Sequence, residues 1–311
     1  MDLQQLTYVV EVASASSFTR AAERCFVTQS ALSHRIAALE RELGQRLFVR
    51  SSRSVRTTEA GEAFLVHAKM AVMAASDARE AAAAAVGRVV GTLRLGVIPT
   101  ASAVSVPRVI SRFRDEHPDA RVELSVGNSD ALADAVQRGD LDVALLGLRE
   151  HAAPRGVAAR ELGRERLVVA VPPTHRLSDR ARVRVADLAE EVFADFPDGT
   201  SGRAQGDAAF EVAGISRDVA FEAGSSELLL GLVAEGLAVA LLSPAVIAAS
   251  HADVIALELS DGPVRVQYVA WDDRAPRSVA TAFLRVLQSL TGPDGDETGP
   301  EESSGPASSE R

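Results

Sequence analysis

Apolar residues recur at helical spacing through the first 43 residues of the chain. The apolar face of a first helix is formed by Leu3, Leu6, Val10 and Ala13. A second short helix is predicted over about 19–25, followed by a turn at Phe26-Val27. Thr28 is a good N-cap, so a third helix is predicted over about 29–43, with Gly44 at its C-terminus. Three short helices joined by tight turns are therefore expected at the start of the chain.

Two short apolar runs and a long alanine-rich run follow these helices. Residues 47–50 and 54–57 read as strands on either side of a Ser-Ser-Arg loop, which predicts a wing. A long helix is predicted over about 58–86, roughly 40 Å at 1.5 Å per residue. A seam with steps of four and three is formed by Phe64, Ala68, Ala71, Ala75, Ala78, Ala82 and Ala85. Such a seam favours pairing of two helices, although an alanine-rich run also contains other spacings.

Beyond Gly87 and Gly91, which bracket a hinge, strands and helices alternate as far as residue 290. This alternation is typical of an α/β domain and predicts parallel sheets. The pattern divides into two lobes, the first over about 92–162 and 266–290 and the second over about 163–265. From residue 291 to 311 the chain is rich in Gly, Pro, Ser and acidic residues, so this tail is expected to be disordered.

Charge is unevenly distributed along the 311 residues, which fit two or three domains. Residues 1–57 hold eight Arg against five acidic residues, a balance of +3, whereas the whole chain carries −10, leaving −13 for the remainder. A basic head on an acidic body suits a protein that contacts nucleic acid with one end only. There is no run of about 18 apolar residues and no signal peptide, so a soluble cytoplasmic protein is expected.

Motifs for catalysis or metal binding were not found in the sequence. The six histidines show no metal-ligand spacing, and the single cysteine, Cys25, permits neither an intrachain disulfide nor a cysteine zinc site. Neither a Gly-x-Ser-x-Gly motif, a Walker loop nor a dinucleotide fingerprint is present. The sequence therefore predicts a protein that is not an enzyme and that has no catalytic residues, metal or cofactor.

The segment from Phe18 to Gly44, then Leu47-Phe-Val-Arg50 and Thr57-Thr-Glu-Ala-Gly61, resembles the signature of LysR-type transcriptional regulators. Cys25 and Phe26 stand where that family more often has Leu and a small or aromatic residue. A helix-turn-helix over about 18–37 places the N-terminal half of its second helix in the major groove. Candidate DNA-binding residues, in this half and in the wing, are Thr28, Gln29, Ser30, Ser33, His34, Arg35 and Arg53.

The resemblance and the chemistry of the side chains divide these candidates by role. By resemblance, Gln29, Ser33 and His34 are expected to read bases. Thr28, Arg35 and Arg53 are expected to contact phosphate or the minor groove. The alternating apolar positions Leu32, Ile36 and Leu39 are expected to lie in the core. The domains that follow from this division are a winged helix-turn-helix over 1–58, a linker and dimerisation helix over 59–86 and an effector-binding domain over 92–290.

The resemblance also implies a two-lobed second domain, similar to a periplasmic binding protein, that holds an effector between its lobes. Ser, Thr and Asn side chains follow several predicted strands and begin the next helices, where free N–H groups favour anions. The candidate effector-binding residues are Thr100, Ala101, Ser102, Asn128, Ser129, Thr200, Ser201, Arg203, Ser225 and Ser226. Arg203 could pair a carboxylate, so a small anionic effector is expected. In the alternative, the hydroxyls only cap helices and Arg203 pairs Asp198 or Asp207.

The sequence thus predicts a sequence-specific transcription factor of LysR type that responds to a small metabolite. Its expected partners are double-stranded promoter DNA, the effector and further copies of itself, as a homodimer and, by resemblance, a tetramer. A solute-binding or transport module is the alternative, because residues 92–290 alone have the layout of such a protein. The fused helix-turn-helix argues against this alternative.

Overall fold

The computed structural model describes residues 1–50, 55–274 and 276–291. Arg53 and the predicted tail beyond Thr291 lie outside the described residues. The chain divides into two compact units, Met1–Gly87 and the part that begins at Arg88. Within the described ranges, no helix is long and apolar enough to cross a membrane.

The first unit consists of helices with one small hairpin. Its elements are α1 (Leu3–Ala15), α2 (Phe18–Arg24), α3 (Gln29–Leu43), β1 (Phe48–Arg50), β2 (Val55–Thr57) and α4 (Glu59–Ala84). The strands β1 and β2 pair antiparallel, as a wing requires. Leu32, Ile36 and Leu39 are fully buried in one core with α1, α2, the wing and the start of α4. The predicted helix-turn-helix and hairpin are therefore present.

Helix α4 packs its first half into the core of this unit rather than standing apart from it. Gly61, Leu65 and Ala68 are buried, whereas Val66 and Met70 are about 60% exposed. The predicted seam included Ala68, which packs within its own chain. The large apolar side chains that α4 exposes lie on a different face from that seam.

The second unit is an α/β domain with two lobes. Its elements, in chain order, are β3 (Gly91–Val97), α5 (Val106–Glu116), β4 (Ala120–Val126), α6 (Ser129–Gln137), β5 (Val143–Arg149), β6 (Ala158–Arg166), β7 (Val168–Val171), β8 (Arg182–Val183), a 3-10 turn (Val185–Leu188), β9 (Val192–Asp195), α7 (Ser201–Ala213), β10 (Asp218–Glu222), α8 (Ser226–Ala234), β11 (Ala240–Leu242), α9 (Pro244–Ala248), β12 (Ile255–Leu259), β13 (Val264–Trp271) and α10 (Ser278–Thr291). Strands β8 and β12 and helix α9 are only two to five residues long, too short for a periodic sequence signal.

The first lobe is built on a five-stranded sheet in the order β4-β3-β5-β13-β6. Strand β3 is parallel to β4 and β5, but β13 is antiparallel to both β5 and β6. The prediction of purely parallel sheets is therefore wrong for this lobe. The whole of β6 and β13 belongs to this sheet, including residues 163–166 and 264–265, which the sequence analysis placed in the second lobe. The chain consequently crosses between lobes near Leu167 and near Pro263.

The second lobe carries a four-stranded sheet, β11-β7-β12-β8, and the pair β10-β9. An isolated bridge between Phe193 and Val239 links the two groups of strands. Strand β7 is antiparallel to β11 and β12, so this lobe is also mixed. Each lobe has its own buried apolar clusters, which leaves the space between the lobes for a cleft.

Candidate DNA-recognition helix and effector cleft

The start and end of α3 are fixed by the residues that the sequence pattern indicated. Thr28 Oγ1 accepts a hydrogen bond of 3.2 Å from the backbone N–H of Ala31, so it caps the free N–H groups of the first turn. Gly44 ends the helix with a φ of 68°, a left-handed conformation that glycine adopts without steric cost. The candidate recognition helix therefore begins directly after the turn of the helix-turn-helix.

The N-terminal half of α3 presents a polar face. Gln29, Ser30, His34 and Arg35 are exposed, as is the capping residue Thr28, and Ser33 is partly exposed. The Thr28 and Ser30 hydroxyls lie 3.1 Å apart. Hydroxyl, amide and imidazole groups can both donate and accept hydrogen bonds, as readout of base edges requires. The structure therefore brings six of the seven DNA-binding candidates to the start of one helix, and the seventh, Arg53, is not among the described residues.

Arg35 has a partner, but a weak one. Its Nη1 lies 3.3 Å from Asp2 Oδ2, and both side chains are about half exposed. An ion pair in that setting contributes about 0–1 kcal/mol because water and salt screen it. Arg35 can therefore exchange Asp2 for a phosphate at little cost.

The turn before α3 contains a feature that sequence reasoning did not identify. Phe26 has a φ of 54° and its side chain is 95% exposed. Its backbone N–H donates to Glu23 O, and the next residue, Val27, donates to Ala22 O, so the turn is tightly closed. A left-handed conformation is disfavoured for a large side chain. No local sequence signal marks this position, because glycine or asparagine would be expected there.

The motif at the start of α4 has a structural explanation. Thr58 caps the helix by accepting from the Gly61 N–H at 2.9 Å, and its hydroxyl donates to Arg46 O at 2.6 Å. A Cβ atom at position 61 would overlap the Leu47 carbonyl group of the hairpin. Only glycine allows α4 to approach the wing so closely, and this contact fixes the wing relative to the helices.

A cavity of about 280 Å³ lies between the two lobes of the second unit. Most of its wall is apolar or glycine, with Ile98, Val126, Phe196 and Leu242 among the lining residues. The polar side chains in the wall are Thr100, Asn128, Ser129, Thr200, Gln205 and Arg265. Apolar walls with a few polar groups are typical of small-molecule sites. Four of the ten predicted effector residues line this cavity.

Two helix N-termini converge on the cavity. Asn128 Oδ1 accepts from Ala131 N at 2.9 Å and so caps α6, and Thr200 Oγ1 accepts from Arg203 N at 3.3 Å and so caps α7. Each cap satisfies one first-turn N–H, which leaves other first-turn N–H groups for a ligand. Both caps line the cavity. The hydroxyl and amide groups therefore act as helix caps, as the alternative interpretation had it, and the backbone donors lie beside them.

Gly147, in the wall of the cavity, is the hydrogen-bond partner of Ser129 from its own lobe and of Gln205 from the other lobe. The Ser129 hydroxyl donates to Gly147 O and accepts from Gly147 N, both at 3.0 Å. Gln205, on α7 of the second lobe, donates through Nε2 to the same Gly147 O at 3.3 Å. The Ser129 hydroxyl is thus occupied by the sheet of the first lobe. Sequence reasoning missed Gln205 because a glutamine in mid-helix gives no local signal of burial.

The remaining hydroxyl candidates lie in other surroundings. Ala101, Ser102, Ser225 and Ser226 line a second, more open groove together with residues of α8 and α9. The Ser201 hydroxyl donates to Asp130 Oδ2 at 2.7 Å, which is a second contact between the lobes. The structure therefore divides eight of the ten predicted residues between two cavities, and Ser201 and Arg203 line neither of them.

Arg203 is already paired with carboxylates. Its Nε lies 3.0 Å from Asp207 Oδ1 and its Nη1 lies 3.0 Å from Glu222 Oε1. The contact with Asp207 is the pairing that the alternative interpretation predicted for Arg203, and the cation in the cavity wall is Arg265. Arg265 was missed because it lies within a strand and follows no helix start.

A buried charge cluster lies behind α7. The side chains of Arg217 and Asp195 are 3% and 5% exposed, with Arg217 Nη1 2.6 Å from Asp195 Oδ2. Arg217 also contacts Asp207 at 2.6 Å, and its guanidinium carbon lies 5.2 and 5.4 Å from the ring centroids of Phe193 and Phe210. Burial raises the pKa of Asp195 to about 6, against the opposing influence of Arg217. This cluster lies at the base of the helix that borders the cavity.

A winged helix-turn-helix with a polar recognition helix, together with a two-lobed domain around a cavity, defines a class of bacterial regulators. The bacterial regulatory helix-turn-helix protein model, lysR family, matches residues 3–62, and the LysR substrate binding domain model matches residues 87–291. The chain belongs to the LysR family of transcriptional regulators.

Curated relatives and solved structures agree with this assignment. The chain is 33% identical over 245 residues to the transcriptional dual regulator GltC of Bacillus subtilis, covering 78% of this chain and 80% of GltC. It is 30% identical to the regulator ShiR of Corynebacterium glutamicum, covering 94% of this chain and all of ShiR. These relatives are transcriptional regulators, not transport modules, so the solute-binding alternative is not supported.

Among solved structures, a full-length OxyR variant from Pseudomonas aeruginosa has a TM-score of 0.71 at 26% identity and covers 93% of this chain and 95% of that chain. Full-length CbnR in complex with its target DNA has a TM-score of 0.68 at 24% identity, covering 93% of this chain and 99% of CbnR. The second likeness shows the fold alone.

Proposed function

We propose that this regulator binds promoter DNA through the exposed N-terminal half of α3, with the wing beside it. The observation that carries this proposal is the division of α3 into a fully buried face at Leu32, Ile36 and Leu39 and an exposed polar face. Gln29, Ser33 and His34 are the base-reading side chains in this proposal. In the same proposal, Thr28, Ser30 and Arg35 contact the sugar-phosphate backbone of the DNA. Arg53 is assigned the same role from sequence alone.

The test is to measure the affinity for sites that the wild-type protein selects from random DNA. In fluorescence anisotropy, Gln29→Ala should weaken binding to a selected site by about 1–3 kcal/mol, a factor of roughly 5 to 150, and leave binding to random DNA nearly unchanged. Gln45→Ala, an exposed glutamine beyond the end of α3, is the matched control. An equal loss on selected and random DNA would assign Gln29 to backbone contacts instead.

The effector in this proposal is a small molecule with an apolar body that binds in the cavity between the lobes. The N-termini of α6 and α7 supply N–H donors and partial positive charge, which favour an anionic or other acceptor group at that end. Arg203 and Arg265 are both paired with carboxylates, so they add no uncompensated positive charge. The effector therefore carries at most one negative charge.

A thermal-shift screen of metabolites identifies the effector, with the single tryptophan, Trp271, as a reporter of the second unit. A ligand at a hundredfold excess over its dissociation constant should add about 2.7 kcal/mol of stability. Thr100→Val should remove most of this gain, whereas Thr291→Val, at the end of α10, should retain it. Hits that keep their full effect in Thr100→Val would place the site elsewhere.

A transcriptional regulator must be in the compartment that holds the promoter DNA, so we assign the protein to the bacterial cytoplasm. We assign it no catalytic role.

Dimerisation through α4 completes the proposal. Val66 and Met70 are the large apolar side chains exposed on that helix. A second copy of α4 would bury them, and two recognition helices could then read two half-sites, with assembly to a tetramer as a further step.

A further inference from the structure

Arg265 and Glu165 are neighbours on adjacent strands at the base of the cleft. They are register partners on β13 and β6, close to the two points where the chain crosses between lobes. Arg265 Nε donates to Glu165 Oε1 at 3.0 Å, and Nη2 contacts the same oxygen. The Arg265 side chain is only 5% exposed, yet it lines the cavity. A buried cation in a ligand site therefore has a fixed counterion.

The same guanidinium group holds Thr100. Arg265 Nη1 donates to Thr100 Oγ1 at 2.5 Å, and Nη2 donates to Thr100 O at 2.9 Å. A hydroxyl group has one hydrogen and two lone pairs. Because Thr100 Oγ1 accepts from Arg265, its hydrogen stays available for an acceptor, and Thr100 lines the cavity. Arg265 thus orients the Thr100 hydroxyl group, which is a neutral donor, and does not itself face the ligand with an unpaired charge.

Glu165 is held in place from three further directions. It accepts from Ser102 at 3.0 Å, from Gln267 at 2.7 Å and from Ser243 at 2.5 Å. Ser243 belongs to the second lobe and is fully buried, so it ties the pair to both lobes. Burial acts to raise the pKa of Glu165, but the charge of Arg265 and these hydrogen bonds outweigh it and hold that pKa below its usual range. The carboxylate is therefore ionised at neutral pH.

We propose that Arg265 and Glu165 are positioning residues that set the charge of the effector site. Glu165 acts as a built-in counterion, and Arg265 acts through the Thr100 hydroxyl. The polar group of the effector accepts a hydrogen bond from Thr100 and does not form an ion pair with Arg265. This inference rests on the proposed function in one respect, namely that the cavity between the lobes is the effector site.

The test is to remove the counterion and supply another. Glu165→Gln leaves Arg265 uncompensated next to a cavity that can hold a small carboxylate, so acetate should bind there. In thermal unfolding at constant sodium concentration, acetate at ten times its dissociation constant should raise the Tm of Glu165→Gln by about 3–6 °C. Acetamide, which is neutral and of the same shape, should have no such effect. The wild-type protein should respond to neither compound.

The double variant Glu165→Gln/Arg265→Gln is the matched control, since it lacks both charges and should be insensitive to acetate. A folded Glu165→Gln variant that ignores acetate, or a wild-type protein that acetate stabilises equally, would overturn the proposal. If Glu165→Gln does not fold, Arg265→Gln is compared with the double variant. A paired charge predicts a lower Tm for the single variant, and an equal or higher Tm would refute the pairing.

This experiment uses neither DNA nor the native effector. A failed acetate response would therefore overturn the role of Glu165 and leave the proposed function standing. Conversely, a metabolite screen without hits in the cavity would count against the proposed effector site, and the acetate result would still report on the charge pair.

Discussion

The carboxyl group of Asp195 should make the stability of the second unit fall as the pH rises toward neutrality. Burial raises its pKa from 3.8 to about 6 in the folded protein, against the opposing charge of Arg217. A carboxyl group with a raised folded pKa binds its proton more tightly in the native state than in the unfolded chain. Ionising it therefore costs stability, and this cost increases with pH between the two pKa values.

The magnitude follows from the size of the shift. About two pKa units correspond to about 3 kcal/mol at neutral pH, since each unit is worth 1.36 kcal/mol. Linkage places about 2 kcal/mol of this between pH 4.5 and pH 7, because the unfolded group titrates near 3.8. The cost is absent well below the unfolded pKa and complete above about pH 7.

The assay is urea unfolding followed by the fluorescence of Trp271 at several pH values, for the wild type and for Asp195→Asn. The variant removes the titrating group, so the difference in unfolding free energy between the two proteins should change by about 2 kcal/mol from pH 4.5 to pH 7. Carboxyl groups remote from Asp195 should contribute equally to both proteins and cancel. If the difference in unfolding free energy does not change with pH, Arg217 keeps the pKa of Asp195 near its ordinary value. If the wild type instead gains stability relative to the variant as the pH rises, Arg217 lowers that pKa.

Two further predictions concern the first unit. Phe26→Asn should raise the unfolding free energy of this unit by about 0.5–1 kcal/mol, because asparagine tolerates the φ of 54° and the phenyl ring buries almost nothing. Circular dichroism of a 1–87 fragment measures this change, and a loss of stability would reveal a packing role for the ring. Met70→Glu should weaken dimerisation at least tenfold in analytical ultracentrifugation, since a charge would be buried against the second copy. Ala78→Glu, on the seam that the sequence predicts, should have little effect, and the opposite order of the two variants would assign the dimer contact to that seam.

The elements of the first unit could be predicted from sequence because their signals are local. Thr28 and Gly44 bound α3 within the sequence itself, and the spacing of Leu32, Ile36 and Leu39 identifies its buried face. The phase of α4 was harder to predict. In an alanine-rich helix many spacings look alike, and only the contact of Gly61 with the hairpin decides which face turns inward.

The cleft could be predicted in outline but not in its chemistry. The caps Asn128 and Thr200 were found because helix starts have recognisable residues. Arg265 and Glu165 are 100 residues apart and become neighbours only when β13 pairs with β6. Sequence spacing carries no trace of such a pair. For Arg203, by contrast, the pairing with Asp207 four residues further on was one of the alternatives that the sequence offered. The second partner of Arg203, Glu222, lies on a separate strand and could not be predicted.

The charged side chains around the cleft are paired with one another, which affects what the second unit can bind. The arginines at and behind the cleft are each matched by carboxylates: Arg203 with Asp207 and Glu222, Arg217 with Asp195, and Arg265 with Glu165. Residues 88–311 hold 23 basic and 34 acidic residues, a balance of −11, so the sensor unit should repel polyanions. DNA is therefore directed to the basic head. Neutral donors at Thr100 and at two helix starts line the cleft, so we expect a singly charged or neutral effector to bind there better than a polyanion.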